Sequence, residues 1–164
     1  MSQQLRQTLA LGAIAGMRSM SAPATISHAL SQNKSTALSG SVLRFMQTPL
    51  AAKVLKGMAV SEMGADKIPG MPDRTAPPIL GGRILVGALV GAVAYRAKND
   101  SMLTGALIGS TVTVAATHGA LYLRKALGRT GLPDTVWALV EDTLVVASGL
   151  GVVNDARRST TNQL

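Results

Sequence analysis

Apolar residues gather into five segments separated by short polar stretches. The first runs from Leu5 to about Leu30 and is interrupted by Gly16-Met17-Arg18-Ser19-Met20-Ser21-Ala22-Pro23. The others run from Pro49 to Lys67, Pro78 to Tyr95, Met102 to Leu123 and Pro133 to Val153. Segments of about 20 residues match a 30 Å hydrocarbon layer at 1.5 Å rise per residue. The pattern predicts an all-α integral membrane bundle of about five glycine-rich spans, with a first helix that can break at Arg18. Pro49, Pro78 and Pro133 stand at helix starts, where a missing N–H costs nothing. Residues 68–77 read as a rigid proline-rich loop and 127–133 as a flexible one. Ser31 to Gly40 reads as an exposed polar loop, with room for a short surface helix after it.

Small residues recur at a spacing of four: Gly12/Gly16, Gly87/Gly91, Gly105/Gly109 and Ala147/Gly151. Such pairs let helix backbones approach closely inside a membrane. The first and fourth segments resemble each other, Gly12-Ala-Ile-Ala-Gly16 beside Gly105-Ala-Leu-Ile-Gly109. Each is followed by a helix with one of the chain's two glutamates, Glu62 or Glu141. The single domain of 164 residues can thus be read as halves 5–67 and 102–153 about a central span 78–95. An odd number of crossings between the halves would invert one relative to the other.

Composition supports the membrane reading. Charged residues make up 15% of the chain, against about 25% in soluble domains, and the mean hydropathy is +0.29. Without cysteines, disulfides, thiolate metal sites and cysteine nucleophiles are excluded. A net charge of +8, with one Phe, two Tyr and one Trp, fits an anionic lipid surface. It offers no basic helix face and few stacking platforms for nucleic acid. The expected location is a bacterial cytoplasmic membrane, crossed several times. The expected partners are the bilayer, a small ion or polar solute, and further copies of the chain. Tyr95, Tyr122 and Trp137 are the available interface anchors. Five spans would put the N-terminus with the 68–77 and 124–132 loops. The 31–48 loop, the 96–101 loop and the C-terminus would share the other side, and since both sides carry several Arg and Lys, the orientation stays open.

The candidate site residues are charges where charge is expensive. A buried carboxylate persists if protonated, paired or bound to a cation. Glu62 and Asp66 lie one turn apart with Ala59 on the same face. Glu141 and Asp142 are adjacent and point about 100° apart, so one is expected to face the interior and the other a neighbouring helix or the interface. Arg18 offers a guanidinium at the break, with Glu62 or Glu141 as the expected partner. Arg83 either does the same or snorkels. His118 is a candidate proton relay. A metal site from His118 and the acids has no recognised ligand spacing, and no cofactor is expected. No Walker, HExxH, nucleophile-elbow or dinucleotide fingerprint is present. The sequence leans away from an enzyme.

Glu62-x-x-x-Asp66-Lys67-x-Pro69, then Ala116-Thr117-His118, then Val140-Glu141-Asp142 resembles the domain of unknown function 4126, an uncharacterised family of bacterial membrane proteins. Gly16-x-Arg18-Ser19 with Pro23 is similar to that family's first helix. The resemblance covers roughly 8–153, and this chain is more polar and poorer in aromatics. It implies a polytopic membrane protein with the same polar residues, and no activity. The function expected is passage or binding of a small ion or polar solute through intramembrane carboxylates. A membrane scaffold or partner subunit, and a membrane enzyme acting on a lipid-linked substrate, are the alternatives.

Overall fold

A computed structural model describes residues 1–65, 76–128 and 134–161. These form helices and turns, with no strand among the described residues. The helices are α1 (Gln3–Met17), α2 (Ser21–Gln32), α3 (Thr36–Ser39), α4 (Pro49–Ala65), α5 (Pro77–Arg96), α6 (Met102–Gly128) and α7 (Asp134–Thr161), with a 3-10 turn at Val42–Gln47. The fold is all-α, as the apolar pattern predicts. Among the described residues two helices are long and apolar enough to cross a membrane, α5 and the Met102–Ala126 stretch of α6.

The core of the bundle is a tight α5–α6 hairpin. A methyl group on Gly91 would strike the carbonyl of Gly105, and one on Gly109 the carbonyl of Gly87. The two glycine pairs read from the sequence therefore face each other and bring the two backbones into contact. The hairpin turns through Asn99, the one non-glycine residue with positive φ (61°) among the described residues. The Asn99 N–H donates to Arg96 O (3.0 Å) and the Asp100 N–H to Tyr95 O (3.1 Å). This Schellman closure needs a left-handed residue at the position Asn99 fills. A β-branched residue there is strained by about 1–2 kcal/mol. Asn99→Val should lower the thermal midpoint, and Asn99→Gly should leave it level or raise it.

α1 lies along α6 in the same direction. Gly12 meets Val112 and Gly109, while a methyl on Gly16 would stand 2.6 Å from Ala116 Cβ and 2.7 Å from Thr113 O. Thr113 donates to Gly12 O (3.1 Å) and Thr117 to Gly16 O (3.1 Å), each also bonding its own helix. These hydroxyls sit one turn apart on the face that touches α1.

The ends of α1 and α2 reveal the path of the chain. Near the start of α1, Gln4 donates to Asp100 (3.1 Å), Gln3 donates to Asp155 O (3.1 Å) and Arg6 pairs with Asp155 (3.5 Å). Just past the end of α2, Ser35 donates to Ala97 O (2.6 Å). Both outer ends thus meet the α5–α6 connection. α1 and α2 form a hairpin that enters and leaves the bundle by one end, hereafter the upper end. Its tip, Arg18–Met20, lies level with Arg83, Thr113 and Asp142. Each of these is 13 or 14 residues from the upper-end positions Ala97, Asp100 or Asp155, a depth of about 20 Å.

This path corrects three expectations. The first segment is two antiparallel helices rather than one span, because Pro23 lacks the N–H a continuous helix needs and its ring would crowd the Ser19 carbonyl. Consequently the N-terminus shares its end with the 31–48 segment, the 96–101 turn and Asp155, instead of lying opposite them. The first and fourth segments also run parallel, and α6 continues unbroken where α1 and α2 divide, so these two segments are not related by inversion. Tyr95 is buried against Gly105 and is no interface anchor. Tyr122 is 78% exposed, and the Trp137 side chain lies outside the described residues.

Candidate functional site at the hairpin tip

Breaking a helix leaves carbonyls at one end and N–H groups at the other without partners. α1 ends at Met17, and Arg18 is extended (φ −138°, ψ 104°). The Ser19 and Met20 N–H groups donate to the two oxygens of Glu62, at 2.9 and 2.7 Å. The carboxylate therefore reaches across from α4 to cap the start of α2. On the other side of the break, Arg83 Nη1 donates to Gly16 O (2.7 Å) and lies 3.5 Å from Ala15 O, capping the end of α1 from α5. A negative group at a helix N-terminus and a positive one at a C-terminus both complement the helix dipoles.

Two ion pairs complete the tip. Arg18 Nη2 stands 2.8 Å from Asp142 Oδ1 on α7, and Arg83 Nη2 stands 3.9 Å from Glu62 Oε1. Both arginines are almost wholly enclosed, at 1% and 4% exposure. The carboxylates are about a fifth exposed, so the acids form the wetter side. Residues from α4, α5, α6 and α7 thus converge on one break in the first hairpin. Arg18 pairs with Asp142, where the sequence pointed to Glu62 or Glu141; of the two adjacent acids, Asp142 reaches the tip.

The remaining candidates lie elsewhere. Glu141 lines a cleft of about 280 Å³ with Met17, Ala116, Leu123, Arg124 and Leu144. His118 is exposed, because its neighbour Thr117 takes the inward face of α6. Asp66 lies outside the described residues. Among the described residues no group of three or more His, Asp or Glu side chains could hold a metal ion. Two features of the tip were not singled out from the sequence. One is the Thr113/Thr117 pair, whose spacing of four on the Gly105/Gly109 helix was the available signal. The other is the pair of backbone N–H groups that Glu62 holds, which no side-chain pattern could reveal.

A larger cavity of about 690 Å³ opens at the upper end between the hairpin arms, α5 and α7. Gln7, Asn33, Lys34 and Lys98 line its rim, while Leu11, Ile26 and Val152 form apolar walls toward the interior. The cavity places a polar, cation-bearing mouth above the tip. Comparison with known protein families, curated proteins and solved structures gives no match to this chain.

Proposed function

We propose that this chain is a small polytopic membrane protein of the bacterial cytoplasmic membrane. In this reading α4 to α7 cross the bilayer, α1 and α2 re-enter from one side, and a small ion or polar solute binds or passes at the hairpin tip. The observation that carries it is a helix broken at mid-depth with enclosed arginine–carboxylate pairs around the break. Irregular backbone within a hydrocarbon layer is tolerated where protein buries it or where it lines a cavity, and ionisable residues at such places mark solute routes. The outward faces support a lipid environment: Leu85, Leu103, Leu107, Leu144, Val146 and Leu150 are each more than half exposed, which soluble monomers rarely permit over so wide an area. Arg6, Lys34, Arg96 and Lys98 lie toward the upper end and Arg124 and Lys125 toward the lower, so basic residues flank the bundle at both ends and leave its orientation open. The resemblance to the domain of unknown function 4126 belongs to the same reading, as does assembly of several copies.

Proton, potassium and chloride flux into proteoliposomes tests it. Wild-type protein should raise one of these fluxes above that of empty vesicles, and Glu62→Gln should cut it at least tenfold, since it removes the charge and one of the two acceptor oxygens that the Ser19 and Met20 N–H groups now hold separately. Flux unaltered in folded Glu62→Gln, Asp142→Asn and Glu141→Gln proteins would exclude the carboxylate route. A second reading, a membrane scaffold or partner subunit, draws on the matching of each enclosed arginine by a carboxylate. It predicts no flux and a stable co-purifying protein.

A further inference from the structure

The hairpin leaves a half-empty slot. In the upper part of the bundle α1 packs between α6 and α7, which scarcely touch each other among the described residues. Because α1 stops at Met17, nothing from this hairpin continues between them below the tip. The 280 Å³ cleft lies there, with Met17 at its upper limit. Its walls are the α6 residues Ala116, Gly119, Ala120 and Leu123 and the α7 residues Val140, Glu141 and Leu144. Gly119, Leu123 and Leu144 are also exposed, so the cleft opens sideways rather than toward the upper end.

We propose that the acyl chain of a phospholipid from the lower leaflet fills this cleft. The inference rests on the membrane reading above. Shape selects the occupant: a helix is about 10 Å across, whereas the cleft is a sideways-open recess of about 280 Å³ between two helices. An unbranched hydrocarbon chain is far thinner and matches walls that are apolar almost throughout. Arg124 lines the lower part and exposed Lys125 follows it, which suits a phosphate headgroup at that mouth. The chain would supply the packing that the missing half of α1 does not, beneath the Arg18–Asp142 pair.

Gly119 permits a clean test, since a Cβ there meets nothing within 4 Å. Gly119→Leu therefore adds a side chain at the cleft wall from a position where its Cβ has open space. Protein extracted in mild detergent should retain a phospholipid in native mass spectrometry, and delipidated protein should rebind phosphatidylglycerol in preference to phosphatidylcholine. Gly119→Leu should lower retention at least tenfold with the thermal transition unchanged, and Arg124→Gln/Lys125→Gln should abolish the headgroup preference. Leu144→Trp, which blocks the cleft from α7, serves if Gly119→Leu fails to fold. Full retention by a folded blocking variant overturns the proposal. So does loss of self-association in place of lipid, which would assign the cleft to a second copy. Retention in the membrane pellet after carbonate washing reports the membrane reading separately.

Discussion

Asp142→Leu is expected to destabilise the bundle by about 3–5 kcal/mol, the range for a buried ion pair that loses one partner. The cause is the enclosure of Arg18, which is 1% exposed and stands 2.8 Å from the carboxylate that the variant removes. Its guanidinium cannot shed its charge, so it loses this counter-ion while remaining enclosed. The reverse change, Arg18→Met, should cost less, because Asp142 retains about a fifth of its side-chain exposure and can be hydrated in place. The double variant should recover most of the loss, since an apolar pair of similar volume often replaces a buried ion pair at little net cost. Denaturant unfolding of the four proteins gives the coupling directly. Equal costs for the two single variants would show that burial does not decide the energetics of the tip.

Gly91→Leu is expected to prevent the α5–α6 hairpin from closing. Its Cβ would land on the Gly105 carbonyl, a backbone group that cannot rotate away. Overpacking usually costs about 1–3 kcal/mol when side chains can yield, and a backbone collision exceeds that. The tip would fail too, since Arg83 sits on α5 and Thr113 and Thr117 on α6. The variant should therefore lose the folded peak in size-exclusion chromatography. Gly57 and Gly151, where an added Cβ meets nothing within 4 Å, provide the contrast. Alanine at either position should stabilise its helix by up to about 1 kcal/mol. A folded Gly91→Leu protein would mean that the hairpin can open without losing the fold.

How much of this was legible in the sequence depends on whether a cause is local. The glycine spacing identifies helix faces that pack closely, because spacing on a helix fixes a face. The pair Gly87/Gly91 and Gly105/Gly109 shows this. The interruption at Gly16–Pro23 was equally readable, as proline and glycine act on the backbone where they stand. The direction taken after the break was not. Whether the chain continues downward or doubles back depends on the contact of Ser35 with Ala97, and neither residue carries a sequence signal for the other. Charge pairing failed for a similar reason. The sequence marked Arg18, Glu62, Glu141 and Asp142 as needing partners, but the roughly 100° between adjacent helical residues left open which acid faced inward. The rotation of α7 settled that in favour of Asp142. His118 misled because a titratable group in an apolar segment has two faces available, and Thr117 had taken the inner one.

The hairpin also has a consequence for the order in which the protein matures during synthesis. Residues 1–32 leave the ribosome first, and although α4 can meet α2 early through Glu62, much of what holds α1 is made last. Thr113 and Thr117 follow the residues they bond by 101 positions, and Asp155 follows Gln3 by 152. Contacts this distant in sequence form slowly and late. Until α6 and α7 exist, Arg18 lacks Asp142, and Gly12 and Gly16 lack the α6 face they lie against. The amino-terminal hairpin must then wait at the edge of the nascent bundle and dock when the last helix is complete. Chains ending before Asp142 should accumulate with the hairpin open to protease, and full-length chains with it protected.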